Sequence, residues 1–405
     1  MASHADLLAR RARVRARHGL TGPEEFPDLT REALPETDAD QRQYYAGQWR
    51  LMWWRFRRHR MALLSSVLLL MLYLIAALAE FIAPYEATQR FRRYQQAPPS
   101  TVYWSDEKGL RGPYVYGLEQ ERDPVTLRLS FVENRDVVLP LQFFVETEPY
   151  RLAGLVEVRH RLFGLGEAGD RARIGIWVFG LDSLARDVFS RTVHGARISL
   201  TIGLVSVALT FFLGALLGGM SGYFGGVIDY VIQRVIEFLR AIPQLPLWMT
   251  LAAVVPKEWP PLNVYFAITL ILALLNWVGL ARVVRGRLLS LREEDYALAA
   301  RASGAGDLRI IFSHLLPGFT SHLILSVTLM IPQMVLYETA LSFLGLGMQP
   351  PAVSWGVLLQ DFRDIVAIFH IPWLLWPAIC VLLTVLLFNF VGDGLRDAAD
   401  PYSSV

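Results

Sequence analysis

The feature that most constrains this chain is a series of apolar runs that contain no charged residue. A helix needs about 20 apolar residues to cross roughly 30 Å of hydrocarbon at 1.5 Å per residue. The chain is 53% hydrophobic and only 19% charged over 405 residues, with a mean hydropathy of +0.34, and its apolar residues cluster in runs of this kind. The runs lie at 61–79, 198–228, 241–255, 262–281, 323–337 and 372–391.

These runs predict an all-α integral membrane protein with six transmembrane helices. The third and fifth runs are shorter than a full span and contain Pro243, Pro246 and Pro332. Because proline removes a backbone donor and clashes with the preceding turn, we expect these two helices to use flanking residues and to be kinked. The first span is assigned to 61–83, and the other five form a helical core at 191–405.

The arginine residues beside the runs predict the orientation, because cytoplasmic loops are enriched in positive charge. The sequence "WRFRRHR", at 54–60, stands directly before the first run. We therefore expect a cytoplasmic N-terminus, and six crossings return the C-terminus to the same side. The segment 282–322 is then cytoplasmic as well, which agrees with its six arginines, Arg282, Arg285, Arg287, Arg292, Arg301 and Arg309.

Two regions lie outside this core. Residues 1–60 are predicted to be a cytoplasmic tail that ends in an interfacial helix, because aromatic residues and arginines recur at helical spacing in 41–60. Residues 84–190, between the first and second spans, are predicted to be a small β-rich extracytoplasmic insert, with β-type runs at 125–132, 137–146 and 173–180. Docking of an external partner, a cap over the pathway and simple packing on the core all stay open.

Two features inside the apolar runs carry specific expectations. Gly214, Gly218 and Gly222 are spaced four apart, so they share one helix face and allow another backbone to approach closely. A carboxylate in a span costs about 2.5 kcal/mol or more on insertion scales unless it faces protein or water. We therefore expect Glu338, with Gln333 on the same helix, either to line the pathway or to form a buried pair that fixes the packing.

The sequence lacks the motifs of several enzyme classes. A phosphate-binding P-loop needs Gly-Lys followed by Ser or Thr, and the only two lysines are Lys108 in "EKG" and Lys257 in "PKE". There is no His-Glu-x-x-His, no cysteine pair and no G-x-S-x-G. We therefore predict no ATP site, no metal site, no cofactor and no catalytic residue in this chain.

The predicted cytoplasmic loop at 283–321 contains a short segment with small side chains, "YALAARASGAGDLRIIFSHLLP" at 296–317. Its first part favours a helix, Gly304 follows where a left-handed helix end prefers glycine, and Asp307 is expected to cap a second helix. Pro317 is expected to mark the return to the membrane. Such a helix could fill a groove in another chain, or it could be an ordinary loop that packs on its own spans.

This segment resembles the "EAA" loop of permease subunits in bacterial ATP-binding cassette importers. Ala299, Ala300, Gly304, Leu316 and Pro317 match the pattern, whereas Leu298 replaces its Glu and His314 replaces its Ile. The resemblance implies that the loop docks into a cytoplasmic ATPase. The residues it assigns to that contact are Asp295, Tyr296, Ala299, Ala300, Ala302, Gly304, Asp307 and Pro317.

Other stretches resemble the oligopeptide, dipeptide and nickel permease branch. "GLDSLARDVFSRTVHGARISL", at 180–200, is similar to the approach to that branch's second span, although Leu181 and Ala185 replace its Thr and Gly. The resemblance implies a bacterial inner-membrane complex with a second permease subunit, two cytoplasmic ATPases and an extracytoplasmic substrate-binding protein. We also expect membrane lipid to be a partner of this chain, and we expect no nucleic acid partner. Peptides are the expected substrate, with nickel complexes, opines or oligosaccharides as alternatives.

Two other classes of function stay open at this stage. An ion-coupled secondary transporter would need its own coupling-ion site near broken helices, for which Glu338 is the only candidate. A membrane receptor or assembly factor would use the cytoplasmic loop for binding alone. Uptake that follows a proton gradient and ignores ATP would favour the secondary transporter.

Overall fold

The computed structural model describes residues 48–106, 109–122, 129–172, 174–256, 258–363 and 369–399. Within these ranges the chain is mostly helical. Five helical segments are long and apolar enough to cross a membrane, and each covers all or most of one predicted run, which leaves only the run at 241–255 outside them. These segments are Arg60–Ala77, Val188–Phe224, Pro261–Leu291, Asp307–Phe343 and Pro372–Ala399. The predicted tail at 1–40 lies outside the described residues.

The remaining helices are short and connect or flank these five segments. The α-helices among them are Gln48–Arg58, Ala79–Ile82, Gly166–Ala172, Gly226–Ala241, Gln244–Ala253, Asp295–Ala302 and Trp355–Leu358. The segment Asp307–Phe343 is not uniform, because only its second part is a regular α-helix. It consists of a helical turn at Asp307–Arg309, a π-helix at Ile310–Leu315, a 3₁₀ turn at Leu316–Phe319 and the α-helix Thr320–Phe343.

The third predicted run, 241–255, does not form a single spanning helix. Its helix, Gln244–Ala253, has ten residues and is therefore only about 15 Å long. The preceding helix, Gly226–Ala241, is followed by Ile242. The backbone of Ile242 is extended, which is the conformation that a following proline imposes. Pro243 thus divides this region into two short helices. Pro332, in contrast, lies inside the helix Thr320–Phe343, which continues past it.

Five strands lie between the first two long helices. Strands Tyr103–Asp106, Gly109–Arg122 and Leu129–Pro140 form a three-stranded antiparallel sheet in chain order. Strands Gln142–Leu152 and Val156–Gly164 form a separate two-stranded structure, called here the 142–164 hairpin. The predicted run at 137–146 thus crosses from one sheet to the other at Leu141.

The predicted strand at 173–180 is wrong for its described residues, 174–180. The backbone N–H of Ile176 donates to the Tyr85 hydroxyl at 2.7 Å, and that of Trp177 donates to Ser100 Oγ at 3.0 Å. Side chains therefore satisfy backbone groups that a neighbouring strand would otherwise pair with. The side chains of Ile176 and Trp177 are buried, so the apolar pattern of this stretch reflects burial and not membership of a sheet.

The helix Val188–Phe224, called here the long helix, has 37 residues and packs along Pro261–Leu291. The expected glycine face lies at this contact. A Cβ on Gly214 would stand 2.8 Å from Leu280 Cβ, one on Gly218 would collide with the Ala281 backbone, and one on Gly222 would stand 2.8 Å from the Arg285 carbonyl oxygen. The prediction of close backbone approach at these glycines is confirmed.

The N-terminal half of the long helix also holds the first span, Arg60–Ala77. Arg197 donates from Nε to the Ala76 carbonyl at 3.1 Å and from Nη2 to the Ala77 carbonyl at 2.9 Å. Its guanidinium also pairs with Glu80, with Nη1 to Oε1 at 2.5 Å and Nη2 to Oε2 at 2.8 Å. Arg197 thus satisfies the free carbonyls at the end of the first span, which have no partner within their own helix.

Candidate functional site

The small-sided segment folds as a short helix, Asp295–Ala302, called here the loop helix. It ends as the sequence predicts. Gly304 has a φ of +80°, its N–H donates to the Arg301 carbonyl at 3.0 Å, and the Ala305 N–H donates to the Ala300 carbonyl at 3.1 Å. This left-handed ending reverses the chain direction and leads directly into the next helical segment.

The loop helix exposes most of its surface. Ala297 is buried and Ala300 is half-buried, and both face the chain's own apolar cluster. Tyr296 is 45% exposed and Leu298 is 47% exposed, which is unusual for large apolar side chains away from a lipid-facing surface. Of the residues predicted to dock, those exposed are Asp295, Tyr296, Ala299, Ala302, Gly304, Asp307 and Pro317.

The cluster beneath the loop helix connects three of the long helices. It contains Tyr223 from the long helix, Leu288 from Pro261–Leu291 and Leu323 from Thr320–Phe343. Ala297 packs into the same cluster. Movement of the loop helix would therefore be transmitted by direct contact to all three helices.

A set of polar contacts ties the C-terminal end of the long helix to the loop. The Tyr223 hydroxyl donates to Asp307 Oδ1 at 2.8 Å, and the Arg301 guanidinium lies over the Tyr223 ring, 5.4 Å from its centre. Arg292 Nη1 donates to the carbonyls of Gly222 and Tyr223, each at 3.3 Å. The two cations thus lie where the long helix presents its free carbonyls, which stabilises this end.

The prediction that Asp307 caps a helix is wrong by one residue. Gly306 occupies the N-cap position, and Asp307 is the first helical residue. Its carboxylate is used by Tyr223 and lies 4.0 Å from Arg301, so it joins two segments and caps neither. Pro317 lies in the first turn of the 3₁₀ segment Leu316–Phe319, where its missing N–H costs nothing.

A bidentate ion pair, which sequence reasoning missed, joins two further helices beside this cluster. Arg285 donates from Nε to Asp229 Oδ1 at 2.5 Å and from Nη2 to Oδ2 at 2.6 Å, and the Ser221 hydroxyl bonds the same carboxylate. A signal was present in the sequence, since a charge beside an apolar run needs a partner.

Glu338 is fully buried, and its described partners are hydroxyl groups. The Ser342 hydroxyl donates to Oε1 at 2.8 Å and the Ser199 hydroxyl donates to Oε2 at 3.3 Å. Ser199 also accepts the Trp355 backbone N–H at 3.0 Å. The carboxylate therefore joins the long helix, Thr320–Phe343 and the segment that follows, which matches the expectation of buried packing more closely than that of a pathway contact. Gln333, in contrast, has an exposed side chain on the same helix.

A second charged cluster lies at the N-terminal end of the long helix. Asp182 accepts from Arg186 Nε at 2.8 Å and from Arg191, and both Asp182 and Arg191 are almost fully buried. Asp187 is the N-cap of the long helix, accepting the Ser190 N–H at 2.7 Å. Burial raises the pKa of Asp187 from 3.8 to about 7. Ala185 has a φ of +59°, at the position where the related pattern carries glycine.

Comparison with known proteins finds two families along the chain. Residues 214–404 match the binding-protein-dependent transport system inner membrane component, and residues 47–99 match the N-terminal transmembrane domain of oligopeptide transport permease C. The dipeptide transport system permease protein DppC of Bacillus subtilis is 30% identical over 382 residues, covering 94% of this chain and 93% of the relative.

Two further similarities cover about half of this chain. The glutathione transport system permease protein GsiD of Pectobacterium atrosepticum is 40% identical over 223 residues, which are 55% of this chain and 71% of the relative. Among solved structures, an inward-facing form of the MetNI methionine ABC transporter is 20% identical, with a TM-score of 0.41 over 52% of this chain and 97% of that chain.

Proposed function

Because the chain belongs to the binding-protein-dependent transport system inner membrane components, in the oligopeptide and dipeptide branch of ATP-binding cassette importer permeases, we propose that it forms half of a peptide pathway. It is a multi-pass inner-membrane protein and a transport subunit without catalytic chemistry of its own. A second permease subunit completes the pathway, and separate ATPases supply the energy. Similar permeases named for dipeptides and glutathione support peptides as the substrate class.

The observation that carries this proposal is the loop helix. It combines an exposed outer face with an inner face fixed to three long helices. This is the arrangement that a mechanical contact requires, because a force applied to the exposed face reaches the spans through packed side chains. The ATPase docks on Asp295, Tyr296, Ala299, Ala302 and the turn at Gly304. Ala300 supports the contact from within the chain, and the exposed Pro317 lies in the 3₁₀ turn where the chain returns to the membrane.

We propose six spans with both termini in the cytoplasm. The two helices Gly226–Ala241 and Gln244–Ala253 together form the third span, broken at Pro243, which is tolerated where neighbouring protein satisfies the freed backbone groups. The strand-containing region between the first two long helices is then an extracytoplasmic insert. Contact with the substrate-binding protein or the partner permease is its proposed role.

Gln333 is the candidate pathway residue of this chain. It is polar and exposed on Thr320–Phe343, between the buried neighbours Pro332 and Met334. An amide on a lipid-facing surface would be costly, whereas an amide on a water-filled pathway is hydrated. Glu338 is not assigned to the pathway, because its hydroxyl partners already satisfy it.

Reconstitution of the complete complex tests this function. The chain, its partner permease, the ATPases and the binding protein are placed in proteoliposomes, and uptake of a labelled peptide is measured. We expect uptake that requires both ATP and the binding protein. Uptake that needs only this chain and a proton gradient would instead establish a secondary transporter.

A pair of matched substitutions tests the loop helix separately from folding. Ala299→Trp changes an exposed position, so the protein should insert and remain stable but no longer co-purify with the ATPases. Ala297→Trp introduces the same side chain at a buried position and should lower stability instead, through overpacking by about 1–3 kcal/mol. Full ATPase recovery with Ala299→Trp would contradict docking at this face.

A further inference from the structure

The 142–164 hairpin carries large apolar side chains that nothing in the described chain covers. At its turn, Leu155 is 86% exposed and Val156 is 59% exposed. Phe144, in the first strand, is 64% exposed and has a φ of +56°, a left-handed conformation that is strained for an aromatic residue. Exposed apolar side chains thus occur both at the turn and at the open end, where Phe143 is 60% exposed, and such side chains indicate an interaction surface.

Two contacts fix this hairpin to the end of the first span. The Ala153 N–H approaches Glu80 Oε2 at 3.4 Å, and the Phe144 ring lies 6.2 Å from the Phe81 ring. Glu80 and Phe81 are consecutive residues in the short helix Ala79–Ile82, immediately after Arg60–Ala77. The hairpin therefore lies across the end of a membrane-spanning helix.

The long helix gives the level of this contact relative to the bilayer. Glu80 pairs with Arg197, which stands 27 residues before the last residue, Phe224, or about 40 Å along a helix. A bilayer with its headgroup layers is about 40–45 Å thick. Glu80 and the adjoining hairpin turn therefore lie near the outer headgroup layer.

The open end of the hairpin also contacts the long helix. Phe163, beside the start of the first strand, packs on Phe189 with ring centres 5.9 Å apart. Phe189 stands eight residues before Arg197 in the long helix, which is about 12 Å farther out along its axis. The hairpin thus reaches outward to Phe189 at its open end, while Phe144 and the turn at Ala153 contact the helix Ala79–Ile82 at the level of Glu80.

The exposed apolar face of the first span continues onto the hairpin. Leu70 and Leu74, 71% and 55% exposed, are followed on the same face by Ala77 and Phe81, at spacings of three and four residues. The helical hydrogen bonds continue across the junction, since the Ile82 N–H donates to the Leu78 carbonyl at 3.0 Å. Phe81 then contacts Phe144, so one apolar surface extends from the span to the hairpin.

We propose that the turn of the 142–164 hairpin is a lipid anchor that inserts Leu155 and Val156 among the headgroups and upper acyl chains of the outer leaflet. Apolar side chains at this depth gain free energy by leaving water, as they do in interfacial helices. Arg151, exposed in the adjoining strand, is placed to reach lipid phosphates. The hairpin would thereby hold the insert against the membrane surface.

Spin labelling in a membrane tests this anchor. The chain has a single cysteine, so Cys380→Ser gives a background without cysteine in which Leu155→Cys can be labelled alone. The labelled chain is assembled with its transport partners in vesicles of phosphatidylethanolamine and phosphatidylglycerol. Collision with oxygen, which concentrates in lipid, is compared with collision with a water-soluble nickel chelate. Leu70→Cys supplies the lipid reference and Trp104→Cys, 61% exposed in the three-stranded sheet, supplies the water reference.

We expect the oxygen-to-nickel collision ratio at Leu155 to exceed that at Trp104 several-fold and to approach that at Leu70. A ratio equal to that at Trp104 would overturn the proposal. Protection from both reagents would also overturn it, because the turn would then be buried against the partner permease. A turn that is water-exposed until the binding protein is added would assign the surface to that protein instead of to lipid.

Discussion

The two ends of the long helix are held by polar contacts of different kinds. At the N-terminal end, Asp182 and Arg191 are 1% and 3% exposed, and the Glu338 carboxylate nearby is fully buried. At the C-terminal end, Arg301 and Asp307 are 65% and 48% exposed and lie 4.0 Å apart. The same helix is therefore fixed by fully buried charge at one end, and at the other by contacts that range from the partly buried Asp229–Arg285 pair beside Ser221 to the exposed Arg301 and Asp307.

This difference implies that the N-terminal end of the long helix is a fixed support, whereas the C-terminal end, called here the joint, is able to move. Separating the members of a buried ion pair would leave a charge without compensation in a medium of low dielectric constant, which is strongly destabilising. The intact pair therefore holds its geometry firmly. Exposed ion pairs contribute about 0–1 kcal/mol, because water replaces either partner at little cost. The C-terminal end, next to the loop helix, can thus change its contacts during transport while the N-terminal end keeps its position.

Breaking the buried pair should have the largest effect. Asp182→Ala leaves Arg191 buried and unpaired, and we expect a loss of about 3–5 kcal/mol in the free energy of unfolding. Denaturation in detergent micelles measures it. Glu167→Ala is the control, because its ion pair with Arg171 is exposed on both sides and its loss should change stability little. Equal effects of the two substitutions would show that burial does not determine how much an ion pair contributes in this protein.

Substitutions at Glu338 should have the next largest effect. Glu338→Leu strands the buried hydroxyls of Ser199 and Ser342 and should cost about 1–3 kcal/mol in the free energy of unfolding. Glu338→Gln keeps a side-chain oxygen that can accept a hydroxyl and should cost less. Both variants are also assayed for peptide uptake. Wild-type stability with lost uptake in Glu338→Gln would return this residue to the pathway.

A pH series examines the N-cap at the same end. Because burial raises the pKa of Asp187 from 3.8 to about 7, the folded chain keeps a proton that the unfolded chain loses between those values. The contribution of Asp187 to stability should therefore fall as pH rises from about 4 to 7 and be constant above that window. Asp187→Asn preserves a good N-cap and should remove this dependence. An unchanged pH profile in the variant would assign the dependence to another group.

The smallest loss of stability is expected at the joint. Tyr223→Phe removes the hydrogen bond to Asp307 and should cost about 0.5–1.5 kcal/mol in the free energy of unfolding. We expect a clearer effect on the amount of peptide transported per ATP hydrolysed, measured in proteoliposomes. Tyr230→Phe, at a 62% exposed tyrosine in the adjacent helix, is the control. Unchanged coupling in Tyr223→Phe would show that the hydrogen bond between Tyr223 and Asp307 does not carry the coupling.

Local patterns in the sequence were enough to predict much of this architecture. The apolar runs depend on length and composition within about 20 residues, and five of the six coincide wholly or mostly with span-length helical segments. The glycine spacing at 214–222 and the helix end at Gly304 also depend on near neighbours. Each of these features is determined by residues within a few turns, so one sequence is enough to read them.

The contacts that connect the helices could not be predicted in this way. Arg197 and Glu80 are 117 positions apart, Tyr223 and Asp307 are 84 apart, and Asp229 and Arg285 are 56 apart. The sequence indicates that charges beside apolar runs need partners, but many pairings satisfy that need. For the same reason Glu338 was expected to have a partner, whereas the choice of serine hydroxyls depends on the packing of three separate segments.

The turn after the loop helix has a consequence for what kind of residue it accepts. A Cβ placed on Gly304 would meet no atom within 4 Å, so space does not limit this position. Its φ of +80° does, because an L-residue is disfavoured there whereas its mirror image is not. A D-alanine introduced by chemical synthesis of the loop should therefore preserve the turn better than an L-alanine does. At Gly304 the turn selects for the handedness of the residue.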